Sequence, residues 1–219
     1  RATIDATGTV EPVEVIDVGA QVAGQVLEFG KDVSGMPIDF GSVVEEGTVL
    51  ARIDTSLYTA DLEQSKAQFA VANANRLSAE SNVMLMKVKL EQAERDWNRA
   101  QKLGPSEALA PTTFDAYKAT YESAKANLAT AQAAVEQAKA SIAAAQASLS
   151  RVEKILAYCT IKSPVKGVVI DRRGNIGQTV VSSLNAPSLF LIARDLTHIQ
   201  VWVSVNEADI GNIRPGQPV

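Results

Sequence analysis

What most constrains this chain is a run of side chains at alternating three- and four-residue steps: Phe114, Tyr117, Tyr121, Ala124, Leu128, Ala131, Val135, Ala138, Ile142, Ala145, Leu149, Val152 and Leu156. This spacing is the seam of a coiled coil, sustained for about six heptads. A second run precedes it, comprising Tyr58, Leu62, Phe69, Ala72, Ala79, Val83, Met86, Leu90, Ala93, Trp97 and Ala100, interrupted by Ser65 and Arg76. Between them lies Gly104-Pro105-Ser106-Glu107, where Gly suits a helix C-cap and Pro cannot donate the next hydrogen bond. Two long helices with so short a join read as one antiparallel hairpin, roughly 60–70 Å long at about 1.5 Å per residue. Asp54-Thr55-Ser56 offers N-cap chemistry for the first helix. Thr112 with Asp115 three residues on reads as an acidic variant of the capping box for the second, approached through the rigid Pro111.

Outside the hairpin the texture changes. Short β-branched runs punctuated by Gly read as strands: Val13–Val18, Gln25–Phe29 and Thr48–Ile53 before it, then Gly167–Ile170, Thr179–Val181 and Leu189–Ile192 after it. The two stretches look like copies of one half-motif. Val22-Ala23-Gly24-Gln25-Val26 matches Val165-Lys166-Gly167-Val168-Val169, and Gly47-Thr48-Val49 is similar to Gly177-Gln178-Thr179-Val180. Neither half is long enough to bury a core, so the economical arrangement closes them on each other as one small sandwich, with the hairpin projecting from between them. The fold class expected is α+β: a coiled-coil hairpin at 55–157 inserted in a β domain built from 1–54 and 158–194. A third segment, 195–219, carries a strand around His198 to Val205, a helical turn at Glu207–Ile213, and then stops; it reads as the start of a further β domain.

Composition removes several functions. A net charge of −4, with no cluster of Lys and Arg on one face, argues against nucleic acid as a partner. The single cysteine, Cys159, allows no internal disulfide and no thiolate metal site, and reads as a buried small hydrophobe. The single histidine, His198, falls in an alternating run and reads as a surface imidazole. One Cys and one His at unrelated positions make neither a triad nor a metal site, so no catalytic residue and no cofactor is expected. No apolar stretch reaches the roughly eighteen residues that a membrane span needs. The chain opens without Met and ends just after a turn signal, so both ends look cut from something longer.

With these features in place, the chain resembles the periplasmic adaptors, or membrane fusion proteins, of tripartite efflux and type I secretion systems. The resemblance is carried by Gly8-Thr9-Val10 with Val18 through Gly24, by Gly47 through Asp54, by Thr160 through Val169 and by Gly177-Gln178-Thr179-Val180. Val18-Gly19-Ala20-Gln21-Val22 and the stretch from Ala193 to Ile210 look most like the MacA-type adaptors of ABC macrolide exporters. The resemblance implies a lipoyl-like β-sandwich and the beginning of a β-barrel domain, a periplasmic location, and an inner-membrane anchor supplied by a segment absent from this chain. It implies as partners an inner-membrane transporter, ABC-type favoured over RND-type, an outer-membrane channel of the TolC type, and further copies of the chain in a ring, six in the full-length protein.

Hairpin tips of this family carry an Arg, a Leu four residues later and a Ser seven beyond that, which meet the channel. Arg99 and Leu103 match the first two, while Ala110 stands at the Ser position. The hydroxyl is missing there, and Ser106, Thr112 and Thr113 are the neighbouring sources of one. The segment Lys31–Phe40 occupies a place where the family has a shorter turn, and reads as a loop insertion. Gln178, in the loop Gly174-Asn175-Ile176-Gly177-Gln178, matches a polar position placed near a gate in the ABC-coupled branch, while Gly174 and Gly177 also satisfy turn geometry.

The outward positions Ala129, Ala133, Ala140, Ala143, Ala144 and Ala147 of the second helix are small enough for neighbouring hairpins to approach closely, although alanine is also the strongest helix former. Two other classes fit less of the chain. A lipoyl or biotin carrier presents its modified Lys at the turn joining the half-motifs; here that turn is the whole hairpin, and Lys166 lies inside the second half. A non-transport coiled-coil scaffold explains the hairpin and leaves the split β motif unexplained.

Overall fold

The computed structural model describes residues 7–104, 109–181 and 188–204, together with Gly211 and Gly216. By internal contacts the chain divides into two units, a β unit of Arg1–Thr55 with Ala157–Val219 and a helical unit of Ser56–Leu156. No helix is long and apolar enough to cross a membrane among the described residues.

The helical unit is built from α1 (Ser56–Leu103) and α2 (Pro111–Tyr158), each 48 residues and so about 70 Å long. They run antiparallel. The Trp97 and Phe114 rings meet at one end with centroids 4.9 Å apart, while Tyr58 and Ser65 lie beside Ser148, Val152 and Ile155 at the other. On α2 every seam position is buried or half-buried except Tyr117. On α1 the seam does not break at Ser65 and Arg76: Ser65 is buried and Arg76 half-buried, in register with Leu62, Phe69, Ala72 and Ala79. The helix tolerates them because a serine side chain is small, and because the Arg76 guanidinium reaches along its own helix to Glu80.

The start of α2 differs from the expected capping box. The first helical residue is Pro111, so Ala110 takes the capping position, its carbonyl accepting from the Thr113 and Phe114 amides at 2.9 and 3.1 Å. Proline is suited to this place, since its missing N–H is one the helix start leaves unpaired and its φ is already helical. At the other side of the connection Gly104 donates its N–H to the Ala100 carbonyl at 3.0 Å with φ +65°, a left-handed cap that favours glycine.

The β unit has strands β1 (Thr7–Pro12), β2 (Val15–Gly19), β3 (Gly24–Phe29), β4 (Val43–Val44) and β5 (Val49–Ile53) before the helices. After them come β6 (Thr160–Lys162), β7 (Gly167–Arg172), β8 (Thr179–Val180), β9 (Ser188–Ala193) and β10 (Ile199–Ser204). One four-stranded sheet has the order β2-β9-β7-β4 and the other β6-β5-β3-β8. Replacing β2, β3, β4 and β5 by β6, β7, β8 and β9, and the reverse, turns each order into the other. The two halves are therefore related by an internal two-fold, and each sheet takes strands from both.

The interleaving extends to single hydrogen bonds. Gly24 and Gln25 pair with Val180 and Thr179, as Gly167 and Val168 pair with Val44 and Val43. The Val26 amide donates to the Gln178 carbonyl at 2.9 Å and its carbonyl accepts from Gly177 at 2.8 Å; Val169 makes the same two bonds with Ser42 and Gly41, at 3.0 and 2.8 Å. Gly41 and Gly177 share a left-handed φ, +81° and +85°. The match of Val22–Val26 with Val165–Val169 is thus structural. The likeness of Gly47-Thr48-Val49 to Gly177-Gln178-Thr179 is not: the counterpart of Gly177-Gln178-Thr179-Val180 is Gly41-Ser42-Val43-Val44. A Gly followed by small and β-branched residues is too common a pattern to distinguish the two places before pairing is known.

The core lies between the sheets, where Phe190, Leu50, Ile53, Ile192, Val26, Val44, Val169 and Val180 are fully buried together with Ile38 and Cys159. Residues 7–12 were expected to contribute with the rest of 1–54 to the sandwich. Instead β1 pairs antiparallel with β10, Thr7 opposite Ser204 through Pro12 opposite Ile199, and belongs to neither four-stranded sheet. The strands β4 and β6 escaped the sequence reading because two or three residues show no alternation. The helical turn expected at Glu207–Ile213 lies outside the described residues, apart from Gly211.

Candidate functional site

Two places carry the residues singled out from sequence, one in each unit. In the helical unit, Arg99 and Leu103 are four apart on one face of the last turns of α1 and both project into solvent, with the Arg99 side chain 72% and Leu103 62% exposed. Arg99 pairs with Asp96 one turn back, and the Asp96 carboxyl is held below its usual range by the Gln92 amide and by Arg99. Leu103 has no core to enter and closes the helix beside Gly104. Ala110, Thr112 and Thr113 are exposed at the start of α2, and Ser106 lies outside the described residues. The helix end therefore displays a cation, an isobutyl group and two hydroxyls.

In the β unit, Gln178 is exposed on the β7–β8 loop, and its side-chain Oε1 accepts from the Asn175 amide at 3.0 Å, folding across its own turn. Gln25 fastens the loop from β3, its Nε2 donating to the Gly177 carbonyl at 2.9 Å. The strongest tie comes from a residue that sequence reasoning missed, Arg172. Its guanidinium stacks over Phe29 at 4.9 Å, donates from Nε to Asp39 at 3.0 Å and from Nη1 to the Gly174 carbonyl at 2.8 Å. It thereby links the two pseudo-equivalent loops, residues 30–42 and 173–178. No local pattern marks it, because Asp39 and Arg172 are brought together only by the pairing of the halves.

The longer of these loops is ordered by local bonds. Asp32 Oδ1 accepts from the Ser34 and Met36 amides at 2.8 and 3.0 Å, Lys31 bridges to Pro37, and Ile38 plugs into the core. The Asp39 carboxyl is held below its usual range, first by the Phe40 amide and then by Arg172. Compared with residues 173–178 of the other half, the segment 30–42 is the enlarged copy of one turn.

Lys166 is exposed and paired with Glu45 at 2.8 Å, immediately before β7. His198 is exposed, with Nδ1 2.8 Å from Asp195, and Cys159 is buried, its thiol pushed up by desolvation and by the nearby Asp54. Among the described residues no group of three or more His, Cys, Asp and Glu converges in a way that would hold a metal ion.

Comparison with known proteins places this geometry. Residues 14–192 match a family model described as the RND membrane fusion protein, barrel-sandwich hybrid domain. The chain is 33% identical over 218 residues to the pyoverdine export membrane fusion protein PvdR of Pseudomonas aeruginosa, covering 100% of this chain and 50% of that protein. To the macrolide export protein MacA of Yersinia pestis it is 29% identical over 211 residues, covering 96% of this chain and 51% of that protein. Among solved structures, MacA from Actinobacillus actinomycetemcomitans superposes with a TM-score of 0.57 at 29% identity, covering 97% of this chain and 59% of that one. The chain spans about half the length of the curated relatives it matches. The match spans strands on both sides of the helices as well as the helices themselves, and the chain belongs to the membrane fusion protein family.

Proposed function

We propose that this chain is the central part of a periplasmic, non-enzymatic adaptor that joins an inner-membrane transporter to an outer-membrane channel of the TolC type, and that it is held at the inner membrane by a segment outside this sequence. The observation that carries the reading is the pairing of an antiparallel hairpin of two 48-residue helices with the split β unit of a membrane fusion protein. In this reading the β unit is the lipoyl-like domain, residues 195–219 begin a β-barrel domain, and several hairpins stand side by side, six in the full-length protein. The exposed Arg99 and Leu103, with the Ala110 side of the connection, meet the channel, and Gln178 lines the duct near a gate.

An ABC-type transporter is the favoured partner, supported by the likeness to proteins named for macrolide export. The matched family model is described for RND membrane fusion proteins, which supports a proton-driven pump as the second reading. Co-purification of the full-length protein from its own cells tests both. Capture of a permease together with a channel protein is expected, with the permease class deciding between the two, and Arg99→Glu with Leu103→Asp is expected to release the channel while keeping the permease. Capture of neither membrane protein would refute the adaptor reading, and unimpaired efflux with Gln178→Ala would remove the gate.

A further inference from the structure

Three turns of the β unit are built alike. In Asp39–Ser42, Glu45–Thr48 and Asn175–Gln178 the fourth amide donates to the first carbonyl at 3.1 Å, and the fourth side chain accepts from the first amide at 3.0–3.1 Å. The third residue is glycine each time, with φ between +81° and +85°, as a turn with a left-handed third position requires. The second residue stands at the corner, exposed in all three. Glu46 is what a corner that meets water calls for. Phe40 and Ile176, 76% and 61% exposed, are not.

These two corners correspond under the internal two-fold, as Gly41 does to Gly177. Phe29 and Arg172 also correspond, and they stack on each other at 4.9 Å, so the axis passes between them. Phe40 and Ile176 therefore stand at equal height on either side of that axis, at one end of the β unit. Arg172 ties their loops together through Asp39 and the Gly174 carbonyl, so the pair is held as one piece. Single apolar side chains are ordinary on a surface, but a matched pair on braced turns marks a place of contact. The polar group nearby is already committed, since Gln178 Oε1 accepts from the Asn175 amide.

We infer that Phe40 and Ile176, contributed by each assembled copy, form an apolar collar that shuts the duct by excluding water, while Gln178 shapes the turn that carries Ile176. The inference rests on the adaptor reading, which sets the Gln178 loop against the duct, and it adds the side chains that meet there and the means of closure. A narrow passage walled by phenyl and sec-butyl groups is unfavourable for water and ions, so it closes without a plug or a ring of charge. Because Arg172 couples the two loops, opening displaces both corners together.

Cross-linking in the full-length protein, in its own cells with transporter and channel present, tests it. Phe40→Cys and Ile176→Cys, each alone, are expected to give a ladder of dimers and higher species with a short bismaleimide, because like corners of different copies converge. Glu46→Cys is expected to give none, and the unsubstituted chain, whose Cys159 is buried, is the blank. A ladder missing from either apolar corner, or equally strong from Glu46→Cys, would overturn the inference. A lysine-reactive cross-linker run in parallel separates the causes: assembled copies without the ladders sink the collar and leave the adaptor reading standing, and absence of any assembly counts against both. As an independent measure, potassium current through the channel with the full-length chain assembled on it in planar bilayers is expected to rise about tenfold with Phe40→Ser and Ile176→Ser, because a wetted constriction passes ions. Phe40→Leu with Ile176→Leu is expected to restore the seal; equal currents in all three would overturn the proposal.

Discussion

Phe190 offers the sharpest test of the interleaved β unit. It lies on β9, in the second half of the chain, with no exposed surface, and its ring meets Phe29 of the first half edge-on at 5.8 Å. A phenyl side chain withdraws on the order of 150–250 Å² from water. At about 25 cal/mol per Å² the part lost in Phe190→Ala amounts to about 3 kcal/mol, and the cavity left behind with the lost ring pair raises the cost to about 3–5 kcal/mol. Against a domain stability of about 5–15 kcal/mol this is a severe but survivable loss. Urea denaturation followed by hydrogen exchange, with helical-unit peptides as internal reference, measures it. The location of the effect is as diagnostic as its size. Val18 and Ile16 of β2 pair with Phe190 and Ile192, so exchange is expected to accelerate in β2 as much as in β9, although about 170 residues separate them. A cost below about 1 kcal/mol, or acceleration confined to the second half, would refute the argument that the halves share one core.

Three further outcomes follow from the same geometry. Arg172→Ala removes the group that ties the β3–β4 loop to the β7–β8 loop and is expected to cost about 1–2 kcal/mol, with faster exchange at Gly177 and Gly41; no change in either loop would contradict the clasp. Gly30→Ala places a methyl group 1.7 Å from the Val49 carbonyl oxygen, so the strand β5 must shift, and a loss above about 2 kcal/mol in thermal or urea unfolding is expected; a neutral substitution would show that the β3–β5 approach is looser than described. The Asp195 carboxyl, which accepts from the Thr197 amide and then from His198 and the Thr197 hydroxyl, is held down to about 2. Since its folded value lies below the unfolded one, its stabilising contribution is complete above about pH 4 and fades as the pH falls towards 2. An NMR titration of Asp195 with a midpoint at the ordinary carboxylate value would refute that turn.

The hairpin was readable in the sequence because its information is local. A seam at 3.5-residue spacing needs only the next turn of the same helix to be recognised, and even Ser65 and Arg76, which looked like interruptions, keep its register. Arg99 and Leu103 are singled out by the resemblance to family hairpin tips; the period says only that neither lies on the seam. At the start of α2 two local signals competed, and the ring of Pro111 prevailed over the carboxylate of Asp115.

The β unit required the tertiary structure. Its strands are two to six residues long, and their partners, β2 with β9 and β3 with β8, come from opposite ends of the chain. Alternation can show that such segments are strands, but not which edge each joins. Pairing decided that Gly41 and not Gly47 is the counterpart of Gly177, that residues 7–12 join β10, and that Arg172 holds Asp39. Each of these depends on a register set between residues more than a hundred positions apart. Periodicity records what a residue does for its own helix or strand; the choice of partner is made by burial of the shared core, which no single stretch of sequence contains.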